Sequence, residues 1–163
     1  ISMGHRNPQG LYFDKNKNFI LETEHGPKGG DEINLIKVEE INKNSNLNYG
    51  WPIVSAGEHY VETDEKLKKY PLYKSHSEYG FLEPLKSFVP SIGISEITKI
   101  GNNRYVVGSL KNKSLYYFEI NNKKISNLER VNVFERVRDL KFHSNNLYLF
   151  LENSASIGLI NYN

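Results

Sequence analysis

The sequence predicts an all-β protein built from consecutive small antiparallel sheets. Short runs of alternating apolar and polar residues fill most of the chain, and turns rich in Asn and Gly, such as KNKN, GNN and NNKK, separate them, which is the pattern of β-hairpins. Equivalent inner-strand positions recur 43 residues apart at Ile97 and Leu140, and Leu11 lies 86 residues before Ile97. A period of about 40–50 residues is typical of a four-stranded β-propeller blade, so the repeats predict part of a propeller.

The predicted strands fall into three sets. GLYFD and FILETE pair across the KNKN turn, and EINLI follows a glycine-rich loop. The second set contains EITKI, RYVVGSL, SLYYFEI and NLERVNV, and the third contains VRDLKF, LYLFLE and SIGLINY. We therefore assign one partial propeller domain, 1–163, with blades at roughly 1–55, 91–133 and 134–163.

A long irregular insertion at 37–90 interrupts this pattern. KVEEINKNSN is compatible with a short helix or with an extended loop, and the following VETDEKLKKYPLYKSHSEYG predicts a polar loop with a helical turn at 63–69. Long loops inside compact domains are often functional lids or mobile segments, and the sequence leaves both interpretations open.

Composition excludes several classes of function. The chain has 21 Lys and Arg against 19 Asp and Glu, which gives no reason to expect nucleic acid or an anionic membrane as a partner. No segment approaches the roughly 20 apolar residues that span a bilayer. Because there is no cysteine, disulfides, thiolate metal sites and thiol nucleophiles are excluded, and the compartment stays undetermined.

Polar residues precede the first strand and follow the second strand of the first predicted pair. Arg6, Asn7 and Gln9 precede the first strand, and a second group follows the next strand: Glu24, His25, Lys28, Asp31 and Glu32. Antiparallel pairing brings these ends together, so they are placed to form one face of a polar pocket. The alternative is an ordinary hairpin with solvated loops.

Two arginines in the third strand set are also open to a functional and a structural interpretation. Arg136 and Arg138 are two residues apart, so on a strand they point to the same face. Two guanidinium groups side by side need an anion, and carboxylates match their planar fork. Either a carboxylated ligand fills that role, or the arginines make ordinary ion pairs with neighbours such as Glu135, Asp139 or Glu152.

Six segments in order resemble one family along nearly the whole chain. They are GHRNPQGLYFD, EHGPKGGDEINLI, NLNYGWP, VPSIGISEI, VVGSLKNKSLYYFEI and RVRDLKF, and together they are similar to the soluble quinoprotein aldose sugar dehydrogenases, the glucose/sorbosone dehydrogenase family. The resemblance implies a six-bladed propeller that binds pyrroloquinoline quinone (PQQ) and calcium and oxidises aldose sugars at C1. It also implies a periplasmic or secreted protein.

The resemblance assigns roles to individual residues. It implies calcium ligation by the main-chain oxygens of Gly26 and Pro27, and it implies a cofactor-binding set consisting of Arg6, Asn7, Gln9, His25, Lys111, Arg136 and Arg138. Four other histidines have no spacing that defines a metal site, and we expect them at the surface: His5, His59, His76 and His143.

The general base of the family is a histidine whose motif has no match in this sequence. Because Ile1 to Met3 read as the end of a strand, we interpret the chain as the C-terminal half of a family member. The isolated chain is then expected to be inactive, and to self-associate or to pair with the missing N-terminal half. The alternative function is a non-catalytic propeller scaffold that binds sugar or protein.

Overall fold

The strands form three antiparallel sheets that follow one another along the chain. The structure is a computed structural model and describes residues 1–43, 46–60 and 63–162. The first sheet has the order β1 to β4 and the second the order β5 to β8, while the third has the order β11, β10, β9. The strands are β1 (Pro8–Asp14), β2 (Phe19–His25), β3 (Asp31–Lys37), β4 (Lys86–Phe88), β5 (Ile94–Lys99), β6 (Arg104–Ser109), β7 (Ser114–Asn121), β8 (Lys124–Asn132), β9 (Val137–His143), β10 (Asn146–Leu151) and β11 (Ser156–Asn161).

This architecture confirms the predicted all-β propeller blades and their strand sets. One strand was missed, because β4 lies at the end of the range assigned to the insertion and completes the first sheet by pairing with β3. Two helices are short, α1 (Val38–Asn42) and α2 (Asp64–Lys69), and a 3₁₀ turn covers Ser77–Tyr79. The helix alternative at KVEEIN and the helical turn near 63–69 are therefore confirmed.

The inner strands of the second sheet, β5 to β7, are mostly buried on both faces because they are apolar in both alternating sets. On β6, Tyr105 and Val107 enter a core shared with the first sheet, whereas Val106 enters a core shared with the third sheet, where it meets Val137 and Leu140. Successive side chains of a strand point to opposite faces. The apolar run RYVVGS is thus what places this sheet between its two neighbours.

Neighbouring sheets are joined along their inner strands. The Thr23 hydroxyl donates to the Ser95 carbonyl oxygen at 2.7 Å, and the Ser95 hydroxyl donates to the Val137 carbonyl oxygen at 2.6 Å. The strands β1, β5 and β9 pack side by side as a result, and side chains at the strand ends of one sheet are brought next to those of another.

The segment after β3 packs onto the first sheet. Leu47 and Tyr49 are buried with Ile36, and the Tyr49 hydroxyl donates to the Leu35 carbonyl oxygen at 2.8 Å. The N-terminal segment is held to the same region, since the Met3 amide donates to the Leu47 carbonyl oxygen at 2.8 Å. These two segments cover the face of β2 and β3 that carries their carboxylate and amide side chains.

The outer face of the third sheet leaves large apolar side chains exposed. Tyr148 lies opposite Leu159, and Phe150 lies opposite Ile157, and these four are 38% to 71% exposed. Contiguous exposed apolar groups of this kind promote association. We expect the isolated chain to elute from size exclusion with a mass that rises with concentration, and the double variant Phe150→Lys, Leu159→Lys to elute as a monomer. A compact monomer at every concentration would contradict this expectation.

Candidate functional site

A cleft of about 480 Å³ lies where the first and second sheets meet at one end of their strands. Six of the nine predicted site residues line it, namely Arg6, Asn7, His25, Gly26, Pro27 and Lys111. Sequence reasoning did not assign a role to Ser91, Gly93 or Tyr60, which line it as well. Ser91 and Gly93 lie within VPSIGISEI, so the motif contained a signal for them, whereas nothing in the sequence pointed to Tyr60.

Arg6 is positioned by contacts on three sides. Its guanidinium donates to the His25 carbonyl oxygen at 3.1 Å and lies 5.3 Å from the Trp51 ring and 5.9 Å from the Tyr60 ring. Cation–π contacts of this length hold an arginine while leaving part of its hydrogen-bonding fork available. Its main-chain amide donates to the Glu24 carboxylate, which fixes the backbone that carries it.

Gln9 supports the cleft from outside. Its side-chain amide donates to the Asn7 side-chain oxygen at 3.1 Å and to the Pro8 carbonyl oxygen at 3.1 Å. The Asn7 carbonyl oxygen in turn accepts from the His25 amide at 3.0 Å. Gln9 therefore orients Asn7, while its role in cofactor binding stays a prediction.

His25 and Asp31 bind the same residue of the second sheet. The Nε2 atom of His25 lies 2.6 Å from the Ile94 carbonyl oxygen, and because a carbonyl only accepts, Nε2 carries the hydrogen. The Asp31 carboxylate accepts from the Ile94 amide at 3.0 Å and from the Ser91 hydroxyl at 2.8 Å. These bonds fasten the end of β2 and the start of β3, on either side of the loop between them, to the start of β5.

The loop from Gly26 to Gly30 has a backbone that a side chain would disrupt. A Cβ on Gly26 would lie 1.6 Å from the Gly30 carbonyl oxygen. The Pro27 carbonyl oxygen accepts from the Gly30 amide at 3.2 Å, which leaves one of its two lone pairs available. Both residues line the cleft.

Lys111 comes from the opposite wall, after β6. Its amide donates to the Ile92 carbonyl oxygen at 3.1 Å. Position 93 requires glycine, because its φ is +65° and a Cβ on Gly93 would lie 2.8 Å from the Lys111 amide nitrogen. Lys111 is exposed, and no acceptor of the described residues contacts its ammonium group. The lysine is available to an anionic ligand.

Arg136 and Arg138 do not line this cleft within the described residues. Both bind the carboxylate of Glu152, with Nε to oxygen distances of 3.2 Å for Arg136 and 2.9 Å for Arg138. The two arginines therefore share one face, as predicted. The anion between them is the Glu152 carboxylate, one of the ion-pair partners that the sequence allowed. Their assignment to cofactor binding stays a prediction.

Two of the histidines expected at the surface are not there. His76 is 2% exposed, and its ring lies 3.8 Å from a Glu32 oxygen. His5 is half-buried and lies 3.4 Å from Glu24. The expectation was wrong because it considered only sequence spacing, whereas the irregular segments that carry His5 and His76 pack against carboxylate side chains of β2 and β3.

Comparison with known proteins places this geometry in a family. The sequence profile of the glucose/sorbosone dehydrogenases matches residues 1–160. The chain belongs to the glucose/sorbosone dehydrogenase family. It is 28% identical to the aldose sugar dehydrogenase YliI of Escherichia coli over 96% of this chain and 41% of that protein. A stretch of 55 residues is 48% identical to quinoprotein glucose dehydrogenase B of Acinetobacter calcoaceticus, covering 34% of this chain and 10% of that protein.

The solved structures of the family agree with the fold. A crystal structure of a glucose dehydrogenase superposes with a TM-score of 0.80 at 26% identity, covering all of this chain and 46% of that one. The chain thus spans less than half the length of these glucose/sorbosone dehydrogenases. None of the helices in the described part of the chain has the length and apolar character needed to cross a membrane.

Proposed function

We propose that the cleft binds PQQ together with a calcium ion, and that the chain is part of an oxidoreductase that oxidises aldose sugars at C1. One observation carries the proposal. Arg6 and Lys111 come from two different sheets and line the same cleft, and within the described ranges neither side chain has a carboxylate partner. Two cations left without counter-ions in a concave site favour an anionic ligand.

The donor groups of the cleft fit this cofactor. PQQ carries three carboxylates, which match the guanidinium fork of Arg6 and the ammonium of Lys111. Calcium prefers oxygen ligands, including main-chain carbonyls, and Gly26 and Pro27 offer two. When bound, the quinone supplies the two-electron acceptor for sugar oxidation. The quinoprotein among the relatives supports this assignment.

The residues of the chain have distinct roles in this proposal. Arg6 and Asn7 orient the cofactor, and His25 holds the two walls of the cleft together. Lys111 would stabilise negative charge on a quinone bound in the cleft, because a positioned ammonium in a partly enclosed site stabilises such charge more strongly than the same group does in water. The proton acceptor for the sugar hydroxyl lies in the part of the family fold that this chain does not cover.

A titration tests the proposal directly. Trp51 is the sole tryptophan of the sequence and lies 5.3 Å from the Arg6 guanidinium, so its fluorescence reports on the cleft. We expect saturable quenching by PQQ in calcium buffer, weaker binding in the presence of a chelator, and no sugar oxidation by the isolated chain with an artificial electron acceptor.

Two outcomes separate this proposal from its alternatives. Absence of saturable quenching would overturn cofactor binding and favour the non-catalytic scaffold that binds sugar or protein. Sugar turnover by the isolated chain would overturn the expectation that the catalytic base lies elsewhere. A periplasmic or secreted location for the whole protein remains part of the proposal, carried by the family resemblance.

A further inference from the structure

A second polar cluster lies beneath the N-terminal segment, beside the cofactor cleft. It consists of His5, Glu22, Glu24 and Asn34. Glu22 is paired with Asn34 in the register of β2 and β3, and Glu24 lies two residues further along β2, so its side chain is on the same face. His5 reaches the cluster from the N-terminal segment, and its ring stacks on Tyr49 with 4.8 Å between centroids.

The distances in the cluster match the spacing of ligands around one small ion. The Nδ1 atom of His5 lies 3.4 Å from Glu24 Oε1 and 3.5 Å from Glu22 Oε2, and the three groups offer ligand atoms within 4.8 Å of one another. Two ligands bonded to one ion at about 2.1 Å are at most about 4.2 Å apart. Small side-chain rotations therefore suffice to bring all three into a coordination sphere.

Two oxygen atoms of the cluster are buried without a partner. Glu22 Oε1 and Asn34 Oδ1 accept no hydrogen bond from the described residues, although Glu22 is 4% exposed and Asn34 fully buried. The Asn34 amide nitrogen now donates to Glu22 at 2.9 Å and to Glu24 at 3.0 Å. The amide oxygen and nitrogen are nearly isosteric, so turning the amide would aim Oδ1 at the carboxylates, and a cation between them would favour that orientation.

The charges of the cluster also call for a cation. Three carboxylates are buried close together, since Glu32 lies opposite Glu24 in the sheet and is 4% exposed. Buried charges are costly unless they are paired or coordinate a metal, and the ion pairs of Glu22 and Glu24 are shared with one imidazole.

We propose that His5 Nδ1, Glu22, Glu24 and Asn34 Oδ1 bind one divalent ion of the first-row transition series, such as Mn²⁺ or Zn²⁺. An imidazole ligand selects these ions over calcium and magnesium, which prefer oxygen alone. The Nε2 atom of His5 lies 2.9 Å from the Ser2 hydroxyl, which can accept its hydrogen and direct the Nδ1 lone pair at the ion.

The ion has a structural consequence for the cofactor cleft. Glu24 binds the main-chain amides of Arg6 and Asn7 through its other oxygen. A metal bound by His5 and Glu24 would hold His5 directly and the main chain of Arg6 and Asn7 through Glu24. It would therefore fix the stretch 5–7, which leads into the cleft. This second site and the calcium position at Gly26 and Pro27 use different groups of ligands.

Metal titration without PQQ tests the proposal. The chain is stripped with a chelator, and binding of Mn²⁺, Zn²⁺ and Ca²⁺ is measured by calorimetry for the wild type, Glu22→Gln and His5→Gln. We expect one equivalent of Mn²⁺ or Zn²⁺ to bind the wild type, and each variant to bind at least about tenfold more weakly. Glu152→Gln, which changes a carboxylate of the third sheet, is expected to leave this binding unchanged.

Several results would overturn the proposal. They are no binding of Mn²⁺ or Zn²⁺ by the wild type, equal binding by Glu22→Gln or His5→Gln, and binding at this site by Ca²⁺ alone. Where a variant fails to fold, as judged by circular dichroism, pulsed electron paramagnetic resonance of wild-type Mn²⁺ decides the matter. Absence of a coordinated imidazole nitrogen would then exclude the site. Because PQQ is left out, failure here is distinct from failure of the cofactor proposal.

Discussion

Replacing Lys111 with alanine should weaken PQQ binding about 10- to 100-fold. A hydrogen bond to a charged group contributes about 1.5–3 kcal/mol, and each 1.4 kcal/mol is a factor of ten in affinity. Since Lys111 is exposed and has no acceptor in the described parts of the chain, its removal should cost affinity without costing stability. Trp51 fluorescence measures the first quantity and urea unfolding the second.

Lys113 provides a matched control for this experiment. It lies two residues further on, is also exposed, and does not line the cleft. Lys113→Ala is expected to bind the quinone like the wild type. Equal loss of affinity in both variants would mean that general positive charge, rather than a positioned ammonium, attracts the ligand. An unchanged affinity in Lys111→Ala would exclude contact between Lys111 and the cofactor.

Replacing Asp14 with asparagine should lower the free energy of unfolding by about 2–4 kcal/mol at pH 7. Asp14 ends β1 and is 1% exposed. Its carboxylate accepts from the Lys99 ammonium at 2.7 Å and from the Tyr105 hydroxyl at 2.6 Å, and both partners belong to the second sheet. Loss of the charge would leave the Lys99 ammonium without its anion at the junction of two sheets. Urea denaturation measures the change.

The effect of Asp14→Asn should depend on pH. Burial alone would raise the pKa of Asp14, but hydrogen bonds from Lys99, Tyr105 and the Lys17 amide outweigh it, and the pKa lies below its ordinary value of 3.8. The stabilisation is therefore complete above that value and is lost as pH falls through the lower pKa of the folded protein. The difference between wild type and variant should therefore shrink as the pH falls below 3.8.

Asp139→Asn is the control for Asp14, because Asp139 is an exposed strand aspartate whose substitution should change stability by less than about 0.5 kcal/mol. A loss of stability for Asp14→Asn that is the same at pH 7 and well below pH 3.8 would show that the shape of Asp14, rather than its charge, stabilises the fold.

The sequence predicts the strands well because their signals are local. Alternating apolar residues and Asn-containing turns mark ten of the eleven strands in the described part of the chain, and the 43-residue spacing follows from the repeat of the blades. The strand at Lys86–Phe88 has three residues and lies after a long polar segment, so no periodicity marks it. Its pairing is decided by β3, which lies about 50 residues earlier in the sequence.

The side chains of the site are harder to predict because their partners are distant in sequence. The ETE of β2 has the polar spacing of a solvated strand face, yet Glu22 and Glu24 are buried because two irregular segments cover them. Residue spacing placed Arg136 and Arg138 on one face, but it did not decide between a ligand and Glu152 as their anion. Which anion the arginines bind depends on how the turn between β10 and β11 brings Glu152 back to β9, and local sequence spacing does not contain this tertiary contact.

Ile94 has its main-chain N–H and C=O both bound by side chains from the adjoining ends of β2 and β3, Asp31 and His25. The cleft therefore has no complete wall until a strand that emerges more than 60 residues later has docked. Closing so long a loop is entropically unfavourable and slow relative to hairpin formation. During synthesis, cofactor acquisition would thus be a late event, and a nascent chain that ends before residue 94 would present Arg6 without the lysine that faces it.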